Sequence, residues 1–394
     1  MAPAAQELLL QEVPQPRRTG AALIVGATGY IGRFVAEACL DSGRDTFILV
    51  RPGNACPARA ASVDALRQKG AVVIEGCVGG KEGRKSVEAA LRARGVEVVI
   101  SVMGGASILD QLGLIEAIRA AGTVKVRTLH ILHTSACMRA SHNSDFWHVK
   151  FGLRGACAWV QRFLPSEFGH DVDRARPVGA GLRFYEEKRL VRRAAEASGV
   201  PYTFICCNSI AGWPYHDSTH PSELPPPLDR FQIYGDGDVR AFFVAGSDIG
   251  KFTIRAAYDA RSINKIVHFR PACNLLSTNE MASLWESKIG RTLPRVTLTE
   301  EDLIAMAADD IIPESIVASL THDIFINGCQ THFYIDGPRD IEISSLYPDI
   351  PFRTIDECFD DYIHVLNLAE EAKEEEEKKN APTVGRLAIP PTCA

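Results

Sequence analysis

Gly26-Ala27-Thr28-Gly29-Tyr30-Ile31-Gly32 is the first stretch whose residue types and spacing could do chemistry. Glycines there let the backbone approach a pyrophosphate, and a helix opening at that point supplies free amides and the positive end of its dipole. The stretch follows a short apolar run, Ala21 to Val25, and opens a helical pattern, the context that a phosphate-binding turn requires. The next strand ends at Arg51, 19 positions beyond Gly32, where an NAD-preferring site carries Asp or Glu for the ribose hydroxyl. Arginine there favours a 2'-phosphate, so the spacing predicts NADPH rather than NADH. Arg59 lies near enough to add a second cation, and is equally well read as an exposed loop arginine.

A second group of candidates follows the fifth apolar run. Phe184-Tyr185-Glu186-Glu187-Lys188-Arg189-Leu190-Val191-Arg192 begins a helix on which Lys188 and Arg192, four apart, share a face. Alone, that is an ordinary charged helix face. In a chain with a nicotinamide cofactor it becomes a candidate, because hydride chemistry often needs a nearby acid or base and a partly desolvated lysine is lowered toward neutral pH. His170 closes the segment Arg162-Phe163-Leu164-Pro165-Ser166-Glu167-Phe168-Gly169-His170, after a strand whose carboxyl end should point into the ligand crevice.

The elements that must position these groups are legible as alternating apolar runs and helical stretches. Strands are expected at Ala21 to Val25, Thr46 to Val50, Ala71 to Ile74, Val96 to Val102, Arg162 to Leu164 and Tyr202 to Cys206. Between them, helices are expected at Ile31 to Asp41, Ser62 to Lys69, Gly83 to Arg94, Asp110 to Ala121 and Phe184 to Ser198. Strands without polar alternation belong to a parallel sheet covered on both faces, so the fold class is α/β, a doubly wound Rossmann sheet. Residues 21–209 form that domain and residues 210–370 mainly a smaller, discontinuous substrate-binding part. One strand near 263–269 returns to the sheet, and helices are expected around Ser277 to Ile289 and Glu300 to Ala307. Residues 1–20 read as a mobile leader and 371–394 as an acidic, disordered tail with a fraying helix over Glu374 to Lys379.

Composition removes other classes. The chain has 394 residues, 46% hydrophobic and 23% charged, which excludes disorder and fibre for its bulk. No run of about 18 apolar residues and no signal peptide is found, so a cytoplasmic protein without a membrane span is expected. Eleven cysteines lack paired metal-type spacing and read as reduced thiols. A formal charge of -6 argues against nucleic acid and leaves a small-molecule ligand.

Taken together, the glycine turn, Arg51, the Pro165-to-Gly169 loop and the Lys188/Arg192 helix resemble the isoflavone reductase-like, NmrA-type group of plant NADPH reductases. Within that group, Arg162-Phe163-Leu164-Pro165, Ile205-Cys206-Cys207-Asn208 and Thr321-His322-Asp323 are similar to the three signature segments of the leucoanthocyanidin reductases. The resemblance covers roughly residues 20 to 370. It implies reduction of a flavan-3,4-diol such as leucocyanidin to a 2,3-trans-flavan-3-ol such as catechin, by C4 dehydroxylation through a quinone methide and hydride transfer. It also implies Lys188 as catalytic lysine, His170 as active-site histidine, and Phe168 and Arg192 as cofactor contacts. Two alternatives stay open: a related isoflavone or lignan benzylic-ether reductase, and a redox sensor that binds NADPH without turnover.

Thr321-His322-Asp323 reads first as a helix cap or polar core contact. Ile205-Cys206-Cys207-Asn208 reads as a buried strand end, and Trp213 and Tyr215 as aromatic surface for a flavan ring or as core packing. One departure from the group stands out. Relatives run from Lys125 directly into Arg162, whereas here 36 residues intervene, Val126 to Gln161. They hold four of eleven histidines and two of four tryptophans, yet no glutamate or proline. His130, His133, His142 and His148 with Cys137 and Cys157 lack a ligand spacing, so no metal is expected. A retained intron translated in frame explains the segment better, since a valine codon begins with GT and a glutamine codon can be CAG.

Overall fold

The computed structural model describes residues 20–53, 57–122, 161–211 and 226–380, with backbone only for 369–370 and 372–380. The leader, the inserted segment up to residue 160, Trp213, Tyr215 and the last 14 residues lie outside the described residues. Five parallel strands form one sheet in the order β3-β2-β1-β4-β5: β1 is Ala21–Val25, β2 Thr46–Val50, β3 Val72–Glu75, β4 Val96–Ser101 and β5 Arg162–Leu164. A parallel bridge between Phe163 and Tyr202 hands the sheet on to β6, Thr203–Cys206. That strand pairs in parallel with Lys265–His268, which pairs with Asp340–Glu342.

Side-chain alternation along the strands explains why both faces must be covered. Ala22, Ile24, Ile48, Val98, Ile100, Leu164 and Ile205 enter one core. Their chain neighbours Leu23, Val25, Phe47, Leu49, Val99, Phe163 and Phe204 enter the other. Helices α1 (Tyr30–Asp41), α2 (Pro57–Gln68) and α6 (Gly246–Tyr258) cover the first face. Helices α3 (Gly80–Ala93), α4 (Asp110–Ala121) and α5 (Gly179–Ala197) cover the second. A strand buried on both sides has no polar face to show, which is why its sequence reads as an apolar run.

A third core gathers Phe231, Trp285, Phe325 and Phe359 from the later part of the chain. It is built by α7 (Thr278–Ile289), α8 (Glu300–Ala308), α9 (Glu314–Phe325) and the long helix Ile355–Asn380. Two expectations need correction. Helix α2 begins at Pro57 rather than Ser62, proline being well suited to a first helical turn. Helix α5 begins at Gly179, five residues before Phe184, because Ala180 and Gly181 already pack inside. The charged stretch Glu374 to Lys379, where a fraying helix is expected, lies within the helix Ile355–Asn380: Ala, Glu and Lys are strong helix formers, and Phe359 has anchored the helix upstream.

Candidate active site

Gly26 and Gly32 show why the first turn needs glycine. A Cβ on Gly32 would stand 2.0 Å from the Gly26 carbonyl oxygen, and one on Gly26 would stand 2.5 Å from the Val102 carbonyl oxygen. Gly26 also has φ +89°, which side-chain-bearing residues avoid. Helix α1 starts at Tyr30 with Gly29 as its cap; no side chain caps it and its first turn holds no acid, which suits an anion at that end. The turn opens on a cleft of about 400 Å³ lined by Gly26, Thr28, Gly29, Arg51 and Arg59, among others. Both arginines therefore border the same cleft as the glycine turn, one from the end of β2 and one from α2. Ala27 is buried below the turn and does not line the cleft, and neither do Tyr30, Ile31 and Gly32. A wider groove of about 1200 Å³ lies by Arg44, Tyr258 and Asp259, at the amino ends of the strands and away from this turn.

Lys188 and His170 meet beyond the carboxyl end of β5. The loop after Leu164 carries Glu167, Phe168 and His170, and α5 brings Tyr185, Lys188 and Arg192 against it. Lys188 is buried, and its Nζ donates to the Glu167 carbonyl oxygen at 2.7 Å. Burial pushes the ammonium below its ordinary value, while the charge of Glu167 partly restores it. His170 is also buried and is pushed down to about 4, by desolvation first. Asp323 and Asp171 act against that shift and Lys188 adds to it. At neutral pH the imidazole is therefore mostly uncharged.

Arg192 does not reach the cleft. Its side chain is fully buried, and Nε and Nη2 donate to the two oxygens of Glu167 at 3.1 and 2.7 Å. Nη1 donates to Asp171 at 2.7 Å and Asp173 at 2.9 Å, and Nη2 also lies 3.9 Å from the Cys206 sulfur. All five N–H groups have partners inside the protein, so the guanidinium holds the loop that carries His170. Phe168 is half-buried with φ 37°, its amide bound to the Ile205 carbonyl oxygen at 3.0 Å.

The other singled-out segments divide between frame and site. Arg162 is buried at the amino end of β5 and donates to Thr203, Ser262 and the carbonyl oxygens of Ala256 and Asp259. It ties the sheet to the carboxyl end of α6. Cys206 and Cys207 are buried at the end of β6, and Asn208, at φ 60°, donates to the Phe269 carbonyl oxygen. Within Thr321-His322-Asp323, on α9, His322 faces Glu300 at 3.1 Å, whereas Asp323 sits 3.8 Å from His170. Sequence reasoning gave no role to Glu167, Tyr185 or Asp323. The three-residue spacing of Tyr185 and Lys188 could have marked the tyrosine; Asp323 lies in a segment already singled out, but nothing local showed that it would face His170 from a distant helix.

Residues 18–151 and 155–359 match the NmrA-like family. A leucoanthocyanidin reductase of Desmodium uncinatum is 51% identical over 345 residues, 88% of this chain and 80% of that protein. A phenylcoumaran benzylic ether reductase of Ginkgo biloba is 37% identical, covering 86% of this chain and 98% of that one. The structure of the binary complex of Vitis vinifera leucoanthocyanidin reductase with NADPH superposes with a TM-score of 0.74 at 50% identity, covering 87% of this chain and 99% of that one.

Proposed function

This chain belongs to the NmrA-like family, and from that premise we infer that it is an NADPH-dependent oxidoreductase that reduces a flavan-3,4-diol to a flavan-3-ol. The observation that carries this reading is a buried lysine beside a buried histidine at the carboxyl end of the sheet, in a chain half identical to a leucoanthocyanidin reductase. NADPH is the cofactor: the uncapped amino end of α1, the close-packed glycines and the two arginines at the cleft suit its phosphates. When bound, it supplies the hydride that ends on C4 of the substrate.

The chain's own residues prepare that carbon. A benzylic hydroxyl is a poor leaving group until the para phenol of ring A loses its proton. Lys188, its ammonium destabilised by burial, takes that proton directly or through a water. His170 gives a proton to the C4 hydroxyl, the C4–O pair leaves with water, and the ring oxygen's pair makes a quinone methide. After hydride addition Lys188 returns its proton to the ring oxygen, and His170 is reprotonated from solvent. The balance is one diol, one NADPH and one proton giving one flavan-3-ol, NADP⁺ and one water.

The test is NADPH oxidation by the purified full chain given leucocyanidin, with the product identified by chiral chromatography. Catechin, lost in Lys188→Met by about 10²-fold or more, is the expected result. A well-folded chain that binds NADPH but ignores leucocyanidin and reduces an isoflavone or a benzylic ether would replace the substrate. NADPH binding without turnover of any of these would replace the enzyme with a sensor.

A further inference from the structure

The carboxylate of Asp323 comes from α9, more than a hundred residues after the loop it serves, and is 1% exposed. Its Oδ2 stands 3.8 Å from His170 Nε2 and accepts the Arg176 amide at 2.9 Å, which fixes it to the same loop. The Tyr185 hydroxyl lies 2.9 Å from His170 Nε2 and 3.1 Å from Nδ1, against the same ring as the carboxylate. Ligand atoms of His170, Asp323 and Cys329 all lie within 4.8 Å of one another. The groups facing His170 are thus Tyr185 and Lys188 from α5, Asp323 from α9, Cys329 just beyond it, and Asp171 on its own loop. Only the two carboxylates favour an imidazolium, and Asp171 is already taken up by Arg192.

We propose that Asp323 is a positioning residue for His170: its buried carboxylate, with the Tyr185 hydroxyl, orients the imidazole and favours the imidazolium, the minority form that protonates the leaving C4 hydroxyl. This rests on the acid role given to His170 above. The N–H bond of the imidazolium breaks, an O–H bond forms, and water departs with the C4–O pair. Without that counter-charge the protonated fraction of the buried imidazole would be smaller still. Thr321-His322-Asp323 thereby gains a function that its sequence position did not disclose.

The active form needs protonated His170 and neutral Lys188. With the histidine titrating below the lysine, kcat/KM is flat between them, and its acidic inflection reports the histidine. Asp323→Asn, which keeps an oxygen for the Arg176 amide, should lower that plateau and move the inflection to lower pH. For each unit moved the plateau should fall about tenfold. Asp323→Glu should restore much of the rate, and Tyr185→Phe, which keeps the buried ring, should lower the plateau as well. NADPH affinity, measured by quenching of protein fluorescence, should stay within about threefold in each variant, well under one tenfold step. A plateau that drops with the inflection unmoved, or an Asp323→Asn protein equal to wild type while His170→Ala is inactive, would overturn the role of Asp323 and leave that of His170. Wild-type turnover by His170→Ala would remove both. Should the Asn protein fail to bind NADPH, the Glu and Phe variants decide on the same criteria.

Discussion

Arg192, which the resemblance marks as a cofactor contact, is the residue most tightly held by its neighbours. It is the cation of a buried network that includes Glu167 and Asp171, each 2% exposed at the side chain. Removing one partner of such a network leaves carboxylates buried without compensation, a loss of about 3–5 kcal/mol. Arg192→Met should therefore lower the urea unfolding midpoint by that equivalent. Arg192→Lys should recover little, because an ammonium cannot span Glu167 in a two-pronged bond. Turnover should fall too, since Glu167 also offers the carbonyl oxygen that holds Lys188. An Arg192→Met protein with an unchanged midpoint would mean that the network adds nothing to the fold. The same residue marks what sequence can carry at this scale. Spacing brings Lys188 and Arg192 to one helix face, but which of them meets a ligand depends on the loop opposite, whose two inward carboxylates are indistinguishable in sequence from surface acids.

At the scale of elements, the sheet strands and α1 are legible because each is an apolar run, buried except in the edge strand β3, or begins at a glycine turn. Helix α6 escaped: its sequence lies beyond the expected domain boundary at residue 210, yet it packs on α1 in the nucleotide-binding half. Small residues make that crossing. A Cβ on Gly250 would stand 2.2 Å from the Phe34 carbonyl oxygen, and one on Gly246 the same distance from the Phe34 ring. In an isolated helix, glycine to alanine gains about 1 kcal/mol. Here the clash is with backbone, and forcing the helices apart costs about 1–3 kcal/mol, so the second effect wins. Gly250→Ala should lower Tm and, because α1 carries the phosphate turn, weaken NADPH binding with little change in kcat at saturating cofactor. A variant as stable as wild type would show that the crossing has slack. Helix α8 was read to within one residue, but α9 was not read, for a related reason: its burial is decided by α5 and the third core, not by a period of its own.

For the whole molecule, the open question is what the extra 36 residues, Val126 to Gln161, do to a frame that is otherwise complete. Their flanks locate the attachment. Helix α4 ends at Ala121, and Gln161 leads into β5, its amide bound to the Glu97 carbonyl oxygen beside the amino end of β4. The insertion therefore joins the sheet at the amino ends of its strands, whereas the glycine turn, Lys188 and His170 all lie at the carboxyl ends. Deleting it would leave residues 122–125 to link α4 to β5, within the usual two to six residues or so of such connections. The shortened chain should consequently bind NADPH and turn over leucocyanidin with kcat and KM within about threefold of the full chain, any larger difference appearing in Tm or yield. Loss of NADPH binding on deletion would show that the segment is built into the nucleotide half. Transcript sequencing across the junction addresses its origin separately. A spliced form lacking these codons is expected from a retained intron, and the long form alone in every tissue would make the segment a regular part of the protein.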